Sequence, residues 1–294
     1  MDNGPIAYEQ RMLRVRDCVD QMPALSTTVT KVLEICNHPN TSPNDLNKII
    51  SLDPVLTSRV LKLINSAYYS LPDRIPTLTR AIIMLGMNTV KNLALSTAVL
   101  GAMQGRKSER VLRTDLFWAH SLGVGVTAKA LAMKRNVLPA EREDYFVAGL
   151  LHDLGKIPLV ECFADEYATV LRQSQERQIP LCRAEQEVFG FDHGCVGRMI
   201  AEKWKLSRTI VECLSFHHEL EKAAPDVFAL VAVIELANIY CNTHKIGAAG
   251  DTHPETSLLP QILQKLNLAP QVMTEIEKTV LEEVEKAKAF INLS

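Results

Sequence analysis

Five of the eight histidines in this 294-residue chain lie on apolar stripes with helical spacing. Residues three and four apart share one face of a helix, so each stripe predicts a helix that turns a histidine inward. The stripes are Leu116, His120, Gly123, Thr127 and Ala130; Tyr145, Ala148, Gly149 and His152; His193, Gly197, Ile200 and Trp204; and Ile210, Val211, Leu214 and His217-His218. An unpartnered buried polar group costs about 1–3 kcal/mol. The pattern therefore predicts four helices that share one polar centre.

Small residues accompany these histidines. Gly123, Gly149 and Gly197 each lie one helical turn from a histidine. A residue without a Cβ lets two helix backbones approach closely. We therefore expect close helix packing around the centre.

Capping signals elsewhere also predict helices. Ser42-Pro43 reads as a cap with proline at the first helical position and Asp45 in the first turn, and Asp53-Pro54 repeats the signal. Thr77 or Thr79 can open a further helix, which Gly86 separates from the next. No stretch alternates with period two between turn signals. The sequence predicts an all-α fold.

Composition agrees with packed helices and excludes some function classes. Hydrophobic residues make up 47% of the chain and aromatic residues 5%. The net charge of −2 gives no general attraction to nucleic acid, and the small basic patch from Arg106 to Arg113 reads as a solvated loop. No apolar stretch reaches the roughly 20 residues that span a bilayer. Val227–Cys241 is too short and contains Glu235.

The cysteines and the N-terminus indicate a cytoplasmic protein. The seven cysteines include no Cys-x-x-Cys pair, which favours a reduced chain without a disulfide framework. The first nine residues are polar and do not resemble a signal peptide. We expect neither a membrane anchor nor a nucleic-acid partner.

Imidazole and carboxylate side chains together are the ligands of a divalent transition metal such as Fe, Mn, Ni or Zn. Neighbours on a regular helix point about 100° apart, so His152 and Asp153 can share one ion only where a helix ends, and Gly155 supplies that end. Lys156 could bind phosphate, although a surface lysine is the simpler interpretation. Asp192 could orient His193 or cap its helix.

The His120 and His152-Asp153 pattern resembles the HD superfamily of metal-dependent phosphohydrolases. His-Asp-Leu-Gly-Lys at 152–156, with His193 and His217-His218-Glu219, is similar to its cyclic-dinucleotide phosphodiesterase branch, HD-GYP. A closer resemblance is to the HDOD domain (HD-related output domain). The motifs that carry it are Met22–Leu25, Asp53-Pro54, Leu61–Ala67, Ala81–Gly86, Phe117–Ser121, Ala148–Asp153, Glu187–His193 and His217-His218.

The HDOD resemblance implies an all-α bacterial signalling domain over about residues 20–240, generally regarded as non-catalytic. The polar stretch at 101–108 divides it into an N-terminal helical half, 20–105, and an HD-like half, 106–240. Residues 1–19 would form a helical extension, and 241–294 a loop and a charged terminal helix.

Two departures from the phosphodiesterase pattern weaken the prediction of hydrolytic activity. After His217-His218-Glu219 the chain lacks Asp-Gly-x-Gly-Tyr-Pro, and the distal aspartate of the family falls on Asn238. A neutral amide oxygen holds a divalent cation less well than a carboxylate.

Two functions remain open from the sequence. The first is an output module that contacts another signalling protein through its N-terminal half. The second is a metal-dependent phosphodiesterase acting on a cyclic dinucleotide or another nucleotide. The metal ligands in either case would be His120, His152, Asp153, His193, His217 and His218, with Asn238 as a weak ligand. In the hydrolase, Lys156 would hold the phosphate.

Overall fold

The computed structural model describes residues 5–293 except 37, 39 and 104–110. Helices account for all the regular structure in these residues, which confirms the all-α prediction. The first six are α1 Pro5–Gln21, α2 Thr27–Cys36, α3 Pro43–Ile50, α4 Pro54–Ile64, α5 Leu78–Leu85 and α6 Met87–Ala102. The next six are α7 Thr114–Lys134, α8 Arg142–Leu151, α9 Lys156–Cys162, α10 Ala164–Arg177, α11 Leu181–Phe189 and α12 His193–Lys203.

The remaining α-helices are α13 Arg208–Phe216, α14 Phe228–Thr243, α15 Leu259–Lys265, α16 Val272–Glu275 and α17 Glu277–Ala287. Short 3₁₀ segments lie at Pro139–Glu141, Leu220–Lys222, Thr256–Leu258 and Lys288–Leu293. The charged terminal helix expected within 241–294 is present as α16 and α17, which are separated at Ile276. Residue 240, the expected end of the domain, lies inside α14.

The capping signals set the starts of α3, α4 and α5. The Ser42 hydroxyl accepts a hydrogen bond from the Asp45 amide, and the Asp45 carboxylate accepts one from the Ser42 amide. Asp53 caps α4, and Thr77 caps α5. Gly86, at φ +84°, separates α5 from α6, a backbone conformation that favours glycine. These four sequence predictions are confirmed.

Helix α7 is the centre of the histidine-bearing half and contacts α8, α14 and α17. Its close approach to α8 depends on glycine, because a Cβ on Gly149 would lie 2.7 Å from the Gly125 backbone. A Cβ on Gly155 would lie 1.9 Å from the His193 carbonyl oxygen, where the turn after α8 meets α12. These contacts bring the ends of α8 and α12 together.

Both ends of the described chain pack against the rest of the fold. Helix α1 packs against α9 and α12, and the Lys203 ammonium donates to the carbonyls of Val19, Asp20 and Met22 at its end. Phe290, in the last 3₁₀ segment, is buried with its ring centroid 5.4 Å from Tyr68 and 4.9 Å from Phe146. The C-terminal segment thus packs between the N-terminal and histidine-bearing halves.

A disulfide pairs Cys18 of α1 with Cys162 of α9, with Cα atoms 6.7 Å apart. This one pair departs from the expectation of a reduced chain without a disulfide framework. The two residues are 144 positions apart, and only the packing of α1 on α9 brings them together. Such a contact leaves no mark in cysteine spacing.

Among the described residues no single helix is long and apolar enough to cross a bilayer. Helices α5 and α6 satisfy length and composition only when taken together, and they meet at a 120° bend. Of the basic patch predicted at 106–113, residues 106–110 lie outside the described residues, while Arg113 forms an exposed ion pair with Asp115.

Candidate metal centre

The five inward histidines come from helix ends as well as helix middles. His120 lies in the middle of α7, and His152 follows the last residue of α8. His193 is the first residue of α12, and His217 and His218 directly follow α13. The predicted helix end at Gly155 is present as a turn over 152–155, which gives His152 and Asp153 side chains access to the same space.

These side chains form one cluster, as the stripes predicted. Ring centroids lie 5.6 Å apart for His120 and His152, 5.2 Å for His152 and His217, and 5.3 Å for His193 and His217. The His218 ring lies 4.2 Å from the His217 ring. All five are buried except His218, which is partly accessible.

Asp153 lies at the middle of the cluster, fully buried. Its Oδ2 is 3.3 Å from His152 Nε2 and 3.8 Å from His120 Nε2. Its Oδ1 is 3.2 Å from His193 Nε2 and 3.9 Å from His217 Nε2. One carboxylate therefore faces histidines on both sides.

Each of the five histidines places Nδ1 against an oxygen atom. The partners are the carbonyls of Ile246 for His120 (3.3 Å), Gly149 for His152 (2.7 Å) and Cys213 for His217 (2.9 Å), and the carboxylates of Glu185 for His193 (2.6 Å) and Glu235 for His218 (3.2 Å). An oxygen acceptor assigns the proton of a neutral imidazole to Nδ1 and leaves a lone pair on Nε2. Metal-binding histidines are commonly held in this way.

The donor atoms fit a cation. His152 Nε2 and Asp153 Oδ1 are buried and make no hydrogen bond. His193 Nε2 and His217 Nε2 lie 3.2 Å apart, and His120 Nε2 lies 3.1 Å from Asn238 Oδ1. With the His120 proton on Nδ1, the second of these contacts sets a nitrogen lone pair against the Asn238 oxygen, a repulsion that a positive ion would relieve. Two groups of three residues each have ligand atoms that all lie within 4.8 Å of one another. The first group is His120, His152 and Asp153, and the second is His193, His217 and His218.

Two buried carboxylates that support the histidines were missed from the sequence. Glu185 of α11 accepts hydrogen bonds from Tyr167 Oη (2.7 Å), from the His193 amide (2.9 Å) and from His193 Nδ1. The Glu235 carboxylate of α14 accepts a hydrogen bond from His218 Nδ1. Both lie on apolar helix faces, so the rule applied to the histidines would have found them. Glu235 was noted only as a charge that interrupts an apolar stretch.

Asp192 is the cap of α12 and does not orient His193. Its Oδ1 accepts a hydrogen bond from the Cys195 amide (3.1 Å), and its Oδ2 accepts from Gln186 Nε2 (2.8 Å). The capping alternative is confirmed, and Glu185 has the orienting role that was considered for Asp192.

Lys156 is buried, and its interpretation as a surface lysine is wrong. The residue is 2% exposed, and its ammonium lies 2.7 Å from Asp153 Oδ2. It begins α9 one turn after Asp153, and this turn directs the side chain back into the cluster. Asn238 of α14 reaches the centre as the register predicted, and its Oδ1 also accepts a hydrogen bond from Asn242 Nδ2 (2.9 Å).

Burial and neighbouring charges shift the pKa values of His120 and His193 in opposite directions. Burial lowers the pKa of His120 to about 3. Burial also disfavours protonated His193, but the Glu185 carboxylate outweighs it and raises the pKa of His193 to about 10. For Asp153, burial is outweighed by His152 and Lys156, which hold its pKa well below the usual range. For Lys156, Asp153 and Glu185 outweigh burial and raise the pKa of its ammonium.

The loop after α14 closes over His120. The Ala248 amide donates to the Leu116 carbonyl (2.9 Å), and a Cβ on Gly247 would lie 2.1 Å from the His120 amide nitrogen. Asp251, farther along the loop, is buried, and burial raises the pKa of its carboxyl group. The loop lies beyond the sequence motifs from which the centre was predicted.

Comparisons with known proteins agree with this fold. A crystal structure of an HDOD domain protein of unknown function from Geobacter sulfurreducens is 25% identical, with a TM-score of 0.74 over 96% of this chain and 98% of that one. A protein of Shewanella amazonensis SB2B, described as a candidate phosphohydrolase, is 24% identical, with a TM-score of 0.69 over 94% and 98%. A protein of Marinobacter aquaeolei VT8, described as a candidate signal transduction protein, is 16% identical, with a TM-score of 0.73 over 97% and 66%.

A curated sequence relative and a family model extend the comparison. An uncharacterized protein of Treponema pallidum (strain Nichols) is 25% identical over 225 residues, which are 76% of this chain and 43% of that protein. This chain thus matches less than half the length of that relative. The family model of the HDOD domain matches residues 22–220, which include the N-terminal half and all five inward histidines. The chain therefore belongs to the HDOD family.

Proposed function

We propose that this protein is a signal-transduction output module that acts by contact with another signalling protein. Its buried His/Asp centre binds a divalent transition metal, namely Fe, Mn, Ni or Zn, and does not catalyse hydrolysis. Membership of the HDOD family supports the signalling role. The metal would be held by imidazole nitrogens and the Asp153 carboxylate, and when bound it would supply positive charge to buried donors from α7, α12 and the turn after α8.

The closure of the centre is the observation that carries the non-catalytic proposal. His120, His152, Asp153, His193 and His217 are each at most 1% exposed. The loop at 246–251 lies against α7 above His120. A phosphodiester must bring its phosphorus atom to the ion, and the burial of these five side chains opposes the approach of such a substrate, with only His218 partly accessible.

Two side chains of the centre also favour a structural role. The Lys156 ammonium pairs with Asp153 inside the core and is not directed towards an opening. Asn238 offers a neutral oxygen where a hydrolase would gain from an anionic one. The ion pair neutralises the lysine charge that a phosphoryl group would need, and the neutral Asn238 oxygen weakens retention of a catalytic ion.

The N-terminal half offers apolar side chains for protein contact. Leu52, between α3 and α4, is 73% exposed, and Ile83 of α5 is 74% exposed. Val55 and Met84 are also exposed, and α5 packs against both α3 and α4. Large exposed apolar side chains on adjoining helices are typical of interaction surfaces.

The alternative is a metal-dependent phosphodiesterase that acts on a cyclic dinucleotide or another nucleotide. The two ligand groups around Asp153 favour it, because such a set can lower the pKa of a bound water. In that function Lys156 would leave Asp153 to hold the phosphate.

Elemental analysis of the purified protein, with assays on a cyclic dinucleotide and on bis(p-nitrophenyl) phosphate, separates the two functions. We expect bound metal and no turnover. Metal-dependent turnover that disappears in His152→Ala would establish the hydrolase instead. Absence of metal after dialysis against Mn²⁺ or Zn²⁺ would contradict the metal-binding part of the proposal.

A further inference from the structure

The donor atoms divide into two sub-sites on opposite oxygens of Asp153. The His120 sub-site consists of His120, His152, Asn238 Oδ1 and Asp153 Oδ2. The His193 sub-site consists of His193, His217, His218 and Asp153 Oδ1. The distances from the two carboxylate oxygens to the Nε2 atoms of His120, His152, His193 and His217 define this division, and His218 is grouped with His193 and His217 by the proximity of their ring nitrogens.

A cation of the protein already occupies one side of the carboxylate. The Lys156 ammonium is 2.7 Å from Asp153 Oδ2, on the side of the His120 sub-site, and both side chains are buried. An ion there would have to share that oxygen with the ammonium and would be repelled by it. At about 4 Å and the dielectric response typical of protein sites, such repulsion weakens binding by at least about a hundredfold.

The other ligands of the His120 sub-site do not compensate for this repulsion. His120 and His152 hold their Nδ1 protons against neutral backbone carbonyls. Asn238 contributes a neutral oxygen, which also accepts a hydrogen bond from Asn242. Apart from the shared Asp153 oxygen, the sub-site has no anionic ligand among the described residues.

The His193 sub-site has the opposite character. Carboxylates lie behind two of its three histidines: Glu185 against His193 Nδ1 and Glu235 against His218 Nδ1. A carboxylate in this position orients the ring and increases the basicity of Nε2. Asp153 Oδ1 lies 3.2 Å from His193 Nε2, so three imidazole nitrogens and one anionic oxygen converge here, a four-ligand set that suits a transition metal.

We propose that the centre binds a single divalent transition-metal ion in the His193 sub-site, while Lys156 supplies the second positive charge in the His120 sub-site. This inference rests on the metal-binding part of the proposed function. Lys156 thereby limits the centre to one ion. Removing its charge, and restoring an anion at position 238, should open the second sub-site.

Metal stoichiometry tests the inference without any activity assay. The full chain is dialysed against Mn²⁺ or Zn²⁺, the bound metal is measured by mass spectrometry, and Mn²⁺ samples are examined by electron paramagnetic resonance. We expect one ion per chain and the signal of isolated Mn²⁺. Two ions in the unmodified protein would overturn the inference, whereas none would instead overturn the proposed metal centre.

Two histidine variants locate the ion. His193→Ala should abolish binding, and His120→Ala should retain one ion. The reverse pattern would overturn the assignment of the sub-site. These variants leave Lys156 in place, so this test does not depend on the stability of a lysine variant.

Lysine variants test the cause of the stoichiometry. Lys156→Met with Asn238→Asp should bind two ions and give the signal of coupled Mn²⁺. Lys156→Gln with Asn238→Asp keeps a hydrogen-bond donor for Asp153 and should also bind two ions. Lys278→Met removes a lysine from an exposed site on α17 and should leave one ion. One ion in whichever Lys156 variant folds would overturn the role of the lysine.

Discussion

Replacing Glu185 with alanine should lower the free energy of unfolding by about 3–5 kcal/mol, the usual cost of removing one partner of a buried charged pair. The carboxylate accepts three hydrogen bonds, from Tyr167 Oη and from the amide and Nδ1 of His193, and it is fully buried. Alanine leaves all three donors without an acceptor. Because small proteins are stable by about 5–15 kcal/mol, the loss is a large fraction of the total.

Conservative variants separate hydrogen bonding from charge. The amide oxygen of Glu185→Gln can accept both His193 hydrogens, and its NH₂ group can donate to Tyr167. Its expected loss is only about 1–2 kcal/mol. Tyr167→Phe removes one of the three donors and should cost about 1 kcal/mol.

Urea unfolding at pH 7 in the presence of a chelator, followed by circular dichroism, measures these differences. Glu187→Ala is the matched control on the same helix, since its carboxylate pairs with Arg177 at the surface. Surface ion pairs contribute about 0–1 kcal/mol. A loss in Glu185→Ala no larger than in Glu187→Ala would refute the assignment of Glu185 as the anchor of His193.

Glu185 should also determine how the stability of the metal-free protein changes with pH above neutrality. His193 has a folded pKa of about 10, above its usual 6.5. Its protonation therefore stabilises the metal-free fold fully below pH 6.5, and this contribution is lost as pH rises towards 10. Glu185→Gln removes the cause of the shift and should flatten that decline. For the metal-bound protein, Glu185→Gln should weaken metal affinity about 10–100-fold, measured by calorimetry.

Three further perturbations follow from the packing and the charges. Below pH 6.5 the metal-free protein should lose stability as pH falls towards 3, because His120 stays neutral in the folded state but takes a proton in the unfolded state. In urea titrations, His120→Gln should reduce the dependence of the unfolding free energy on pH by about 1.4 kcal/mol per pH unit. Gly155→Ala should lower the free energy of unfolding by about 3 kcal/mol, because the new Cβ would lie 1.9 Å from a backbone oxygen. In Gly197→Ala the new Cβ would lie 3.3 Å from a side-chain atom, so the loss should be less than about 1 kcal/mol. Equal losses in the two variants would contradict this packing. Cys18→Ser should lower stability by about 2–5 kcal/mol in oxidising buffer and much less with a thiol reductant; no difference between the buffers would show that the pair with Cys162 is not formed in solution.

The centre could be predicted from the sequence because its histidines are polar residues on apolar helix faces. That rule depends only on local periodicity, and the structure brings His120, His152, His193, His217 and His218 together. The starts of α3, α4 and α5 were predictable for the same reason, since caps involve residues only three apart. Local patterns were sufficient wherever the determining contacts were local.

Residues fixed by tertiary contacts were harder to predict. A fully buried lysine is rare, so the sequence favoured a surface position for Lys156, and only its pairing with Asp153 makes burial tolerable. The contact between His120 Nδ1 and the Ile246 carbonyl joins residues 126 positions apart and has no sequence signature. Glu185 is a different case, because its apolar stripe was readable but the rule was applied only to histidines.

The burial of Phe290 has a practical consequence for expressing shortened versions of this protein. The family match ends at residue 220, and a version cut there or at residue 240 would leave the rings of Tyr68 and Phe146 without their partner. Loss of a buried phenylalanine side chain costs about 3–5 kcal/mol. The smallest stable fragment should therefore extend through residue 291, so that Phe290 keeps its place against Tyr68 and Phe146.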